Sequence, residues 1–154
     1  MKKNLVSAVI FAAATLPFSA IAADDHHVTV QPDALKWTQP AALEQGALQA
    51  VVSGDPTKEG MYIVRQKFPS GFKIQAHSHP NDENVTMLMG ILNIGTGDKL
   101  DQTKGVQLKS GAYSFVAKGM THYAWATEET VIQLHGMGPQ GVIYVNAADD
   151  PRKK

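Results

Sequence analysis

Residues 71–90 read GFKIQAHSHPNDENVTMLMG and carry two of the chain's six histidines one residue apart, His77 and His79, with Glu83 four residues on. Imidazole and carboxylate together are ligands for divalent transition-metal ions. On a β-strand, residues i and i+2 project from the same face, so His77 and His79 can point at one ion. The segment HPND is turn chemistry, and an antiparallel return would carry the Glu83 carboxylate back beside the two rings, three ligands from one hairpin. A fourth candidate is His122, at the start of the apolar run HYAWAT, with the small side chains of Ala124 and Ala126 on its own face and Tyr123 and Trp125 on the other. Small neighbours beside an inward imidazole leave room for a ligand. His135, in TVIQLHG, reads as a core histidine or one that supports the ligands from behind. Of His26 and His27, the first would complete a terminal Asp-Asp-His copper- or nickel-binding tripeptide only if the chain were cut after Ala23.

The elements that must position these groups read as short strands. Apolar alternation and β-branched residues recur at 46–53, 61–68, 72–79, 84–94, 112–117, 121–127, 130–136 and 141–146, separated by SGDPTKEG, PSG, HPND, GTGDK, KSG and GMGPQ. No window carries a convincing helical stripe beyond a single turn at 98–105. About eight to ten evenly spaced strands predict an all-β sandwich or small barrel.

The first 22 residues read as a cleaved signal peptide: a basic start (Lys2, Lys3), an uncharged run at 5–16, Pro17, and small residues ending at Ala22. Twelve apolar residues fall short of the roughly 20 that span a bilayer, so no membrane anchor is expected after processing. Residues 23–45 read as an arm packed on the barrel, 46–147 as the barrel, and 148–154 as a loose polar tail. The expected location is periplasmic or secreted. The chain has no cysteine, which excludes a disulfide scaffold and any thiolate metal site. Loss of Lys2 and Lys3 changes 14 basic against 14 acidic residues to 12 against 14, with no basic stripe, so nucleic acid is not an expected partner.

The spacing then resembles a known family. Gly71, His77, His79, Glu83 and Gly90 match every defined position of the first cupin motif, G-x5-H-x-H-x3,4-E-x6-G. Gly111, Gly119 and His122 match the second, in which Ala117 replaces the usual proline and Ala126 the usual asparagine. The chain is most similar to small exported monocupins related to the cupin half of ChrR-type anti-sigma factors. The resemblance implies a double-stranded β-helix (jelly-roll) barrel with one divalent metal ion inside, held by His77, His79, Glu83 and His122, and a homodimer built through barrel faces.

The ligand types leave Fe, Mn, Zn, Ni and Cu open. By parity Val85, Met87 and Met89 share the face of Glu83, where they would line a cavity beside the ion or simply form barrel core. Arg65 would meet an acidic substrate if its face of YIVRQKF pointed inward, but Tyr62, Val64 and Phe68 make the face read as inward. The expected function is a metal-binding cupin that works as an oxygenase, lyase or isomerase on a small oxygenated molecule. The alternatives are a non-catalytic ligand- or metal-binding module and a metal that only staples the fold. No catalytic acid or base stands out beside the ligands.

Overall fold

The computed structural model describes residues 27–154; the leader read at 1–22, the start of the arm and His26 lie outside the described residues. Ten strands follow one another: β1 Leu48–Ser53, β2 Gly60–Phe68, β3 Lys73–Ser78, β4 Glu83–Met89, β5 Ile91–Thr96, β6 Val106–Lys109, β7 Tyr113–Val116, β8 His122–Ala126, β9 Thr130–Gly138 and β10 Ile143–Tyr144. They form two antiparallel five-stranded sheets, ordered β1-β2-β9-β4-β7 and β10-β3-β8-β5-β6. The two sheets face each other as a jelly roll. Among the described residues the only helical segments are three short 3-10 turns.

The core is built by alternation. On β2, Tyr62, Val64, Gln66 and Phe68 are buried while the residues between them are more exposed. They pack with Phe72, Ile74, Val85, Met87, Leu92, Ile132 and Leu134 from both sheets, except Gln66, which donates from its side-chain amide to Gln49 Oε1 at 2.8 Å. β8 is buried at all five positions because both of its faces are covered. Its outer residues Tyr123 and Trp125 lie against Gly95 and Gly105, the only side-chain size that fits there, since a Cβ would come within 2.4 and 2.8 Å of the two rings.

Several expectations are corrected. The run 84–94 is two strands in different sheets, because the chain crosses over at Gly90. β6, VQLK, is not among the expected strands; three of its four residues are exposed, so it shows no apolar alternation. The turn expected at 98–105 is an Asx turn, in which Thr103 N donates to Asp101 Oδ1 at 3.0 Å. The tail is held rather than loose: Asp150 is buried, Arg152 pairs with it at 2.7 Å, and Lys154 meets Glu44. The arm is tied down by a bridge between Thr38 and Gln49 and by the Tyr144 hydroxyl, which donates to Ala42 O at 2.8 Å.

Candidate metal centre

His77 and His79 reach one point because of a bulge. β3 pairs with β8 through Ile74 opposite Ala124 and His77 opposite His122, three residues against two. Strict alternation would put Ile74 and His77 on opposite faces. The extra residue re-phases the strand, so Phe72 and Ile74 fill the core while His77 and His79 enter the space between the sheets. His122 arrives from β8, directly opposite His77.

Glu83 comes from the other side. The expected hairpin does not exist: β3 pairs with β8 and β10, whereas β4 pairs with β7 and β9. Residues 79–82 carry the chain from one sheet to the other, and Glu83 opens β4 across the interior from the histidines. The two sheets together therefore enclose the group.

One ring nitrogen from each of His77, His79 and His122 lies within 4.8 Å of the other two, and all three residues are buried. Glu83 Oε2 stands 3.3 Å from His79 Nε2 and 3.7 Å from His122 Nε2. Each Nδ1 is engaged from behind by a backbone carbonyl: His77 with Gln75 O at 2.7 Å, His79 with Gly141 O at 2.6 Å, and His122 with Met120 O at 3.2 Å. A ring that donates from Nδ1 presents Nε2 as its free end, which is how metal-binding histidines are oriented. The buried Nε2 of His79 has no hydrogen-bond partner, because Glu83, though close, is not in hydrogen-bond geometry. An imidazole lone pair and a carboxylate repel each other in a low-dielectric interior, so a cation belongs between them. The donor set fits a divalent ion.

The charge states agree. Burial, reinforced by the imidazoles of His122 and His79, pushes His77 down to about 3, so that ring is neutral. Burial opposes the ionised form of Glu83, but the His122 and His79 contacts outweigh it and hold the carboxyl well below its ordinary range. At His79 burial disfavours the charged ring, yet the contact with Glu83 prevails and raises it above 6.5. Proton and metal therefore compete for one lone pair. Metal affinity should fall tenfold per pH unit below the raised value, and binding should release a proton. Titration calorimetry in two buffers of different ionisation enthalpy measures that release; an affinity flat from pH 8 to pH 5 would contradict it. In the metal-free protein the raised His79 stabilises the fold fully below its unfolded value, and that contribution is lost as pH rises through the folded one.

The other candidate residues are placed differently. Val85, Met87, Ala124 and Ala126 belong to the packed core. Met89 lies outside it, 43% exposed, because a second bulge sets Met87 opposite Ile132 but Met89 opposite Val131 and reverses the parity. Arg65 is on the outer face of β2, where its Nε donates to Gln133 Oε1 at 3.2 Å, so it does not contact a ligand inside the barrel. His135 is also on the outer face, since β9 buries Thr130, Ile132 and Leu134; it is neither core nor support for the centre.

The cavity beside His79 is lined by Tyr62, His79, Glu83, Gln140 and Gly141, among others, and has a volume of about 10 Å³. That is room for about one water molecule. Tyr62 was read only as apolar face, but its phenol shares this cavity, and burial and the Glu83 charge push it up to about 12. Tyr144, unremarked in the sequence, packs its ring 5.9 Å from that of His77. The signal for Tyr62 was a phenol in an inward row; nothing local to Tyr144 announced it.

Similar folds occur among solved structures. The polyketide cyclase RemF from Streptomyces resistomycificus matches with a TM-score of 0.65 at 14% identity, over 82% of this chain and 91% of that one. An RmlC-like cupin from Ralstonia eutropha JMP134 matches with a TM-score of 0.62 at 15% identity, over 80% and 74%. KdgF from Halomonas sp. matches with a TM-score of 0.53 at 20% identity, over 69% and 91%. These likenesses concern the fold. No curated protein matches in sequence. Residues 16–139 match the family described as "Domain of unknown function (DUF4437)". The chain has a jelly-roll fold like that of the RmlC-like cupins, with three buried histidines grouped between its sheets, and it belongs to the DUF4437 family.

Proposed function

We propose that the chain is an exported cupin that binds one divalent transition-metal ion through His77, His79, His122 and Glu83 and acts on a small oxygenated molecule. The observation that carries this reading is the buried, unpartnered Nε2 of His79, set among two more imidazoles and a carboxylate. The likeness to small exported monocupins related to ChrR-type anti-sigma factors belongs to the same proposal. A bound ion supplies Lewis acidity toward an oxygen donor. The chain's own groups do the rest. Backbone carbonyls at Gln75, Gly141 and Met120 hold the rings in orientation. Glu83 offsets one of the two positive charges, and the protonated Tyr62 phenol can donate a hydrogen bond to an oxygen in the cavity.

One observation favours a second reading. The cavity beside His79, of about 10 Å³, holds about one water molecule, which suits a metal that binds a water-sized ligand or staples the fold. Elemental analysis of protein purified from its native compartment, paired with an oxygen-uptake screen, separates the two. Iron, manganese, copper or nickel with turnover supports the enzyme, and tightly held zinc without turnover supports the second reading. Less than a tenth of an ion per chain would remove both.

A further inference from the structure

On the outer face of the β1-containing sheet, away from the imidazole centre, two thioethers meet. Met61 of β2 and Met137 of β9 are direct partners in the antiparallel register, and both side chains face solvent, 67% and 58% exposed. Directly opposed residues have Cβ atoms about 4.5–5.5 Å apart, within reach of flexible methionine side chains. His135 precedes Met137 by two residues and therefore stands on the same face, diagonal to Met61 at about 7–8 Å. The three side chains line one surface depression of about 580 Å³, walled by Phe115. On its rim Asp82 and Lys118 balance in charge, and the Asp82 carboxylate already accepts from Lys118 N at 2.9 Å.

Core packing does not explain this group, since both methionines are exposed, and the chain has no cysteine that could supply sulfur instead. Two thioethers and an imidazole are a soft donor set. Such sets prefer monovalent copper over hard oxygen-seeking ions. The geometry points to a second metal site, formed by Met61, Met137 and His135, that binds a soft monovalent d10 cation, Cu(I) or Ag(I). It is independent of the divalent centre.

The test uses the purified chain, 13C-labelled at its methionine methyls and preloaded with Zn(II) so that the imidazole centre is taken, and titrates it with Ag(I) as a redox-inert probe. The expected result is that the methyl signals of Met61 and Met137, assigned with the single leucine variants, shift together and saturate at one equivalent. Met61→Leu and His135→Gln should each weaken Ag(I) affinity at least tenfold; both are surface changes, and leucine keeps the volume and apolarity of methionine. Unmoved Met61 and Met137 signals, or undiminished affinity in Met61→Leu, would overturn the site. So would signals that respond to protein concentration instead of Ag(I), which would make the patch a self-association surface.

Discussion

Stripping the proposed divalent metal with a strong chelator should lower the melting temperature of the protein by roughly 10–20 °C. The magnitude follows from mass action. A ligand that binds only the folded state, present at a thousand times its Kd, stabilises by about 4 kcal/mol, and a domain of this size loses a few degrees per kcal/mol. The direction follows from the site. Glu83 is a buried carboxylate whose neighbours are a neutral His77, a His122 at 3.7 Å and a His79 nitrogen with no hydrogen-bond partner. Removing the cation leaves that charge supported by a single proton on His79. His79→Ala should abolish the chelator response altogether, because it removes both the unpartnered nitrogen and the bond to Gly141 O that orients the ring. His135→Ala, on the outer face, should leave the response intact. Thermal melts of metal-loaded protein with and without chelator, with metal content verified, decide the matter. Identical curves would mean that the four residues hold no ion that matters to the fold.

What could be read beforehand was the local alternation, and what could not was the pairing. The two histidines at i and i+2 had to share a face, and Tyr62, Val64 and Phe68 had to be the inner row of β2, which put Arg65 outside. A strand's own residues do not say which strand it lies beside. The stretch HPND therefore looked like a hairpin turn, although it is a crossing between sheets. Bulges are hidden for the same reason, since the extra residue exists only relative to a partner. One bulge turned His77 and His79 inward after Ile74 had already faced the core, and the other turned Met89 out after Met87. His135 misled because β9 has apolar residues in both of its rows, Val131 as well as Ile132 and Leu134, so its neighbours did not reveal its face.

Replacing Gly90 by alanine should destabilise the protein by about 3 kcal/mol or more, whereas Gly119→Ala should lose only about 1–2 kcal/mol. Both glycines belong to the spacing pattern around the histidines, and both have left-handed backbone, with φ of +79° and +74°. A side chain in that region costs about 1–2 kcal/mol, and at Gly119 the cost ends there, because a Cβ would meet nothing within 4 Å. At Gly90 the same Cβ would lie 2.2 Å from Glu129 O and 2.9 Å from Thr130 Cα. Those are backbone atoms, and they cannot swing aside. Thr130 is fully buried, and its hydroxyl is committed to the carbonyls of Ile91 and Glu128, each at 3.0 Å. The crossing from β4 to β5 is thus pressed onto the first residue of β9, the strand that holds β4 and β2 in one sheet. Relief of the contact must move that junction, and with it the strand that begins at Glu83. Denaturant midpoints of the two variants measure the difference directly. Equal losses would show that the glycine at position 90 serves conformation alone and that the close approach of the two backbones contributes nothing.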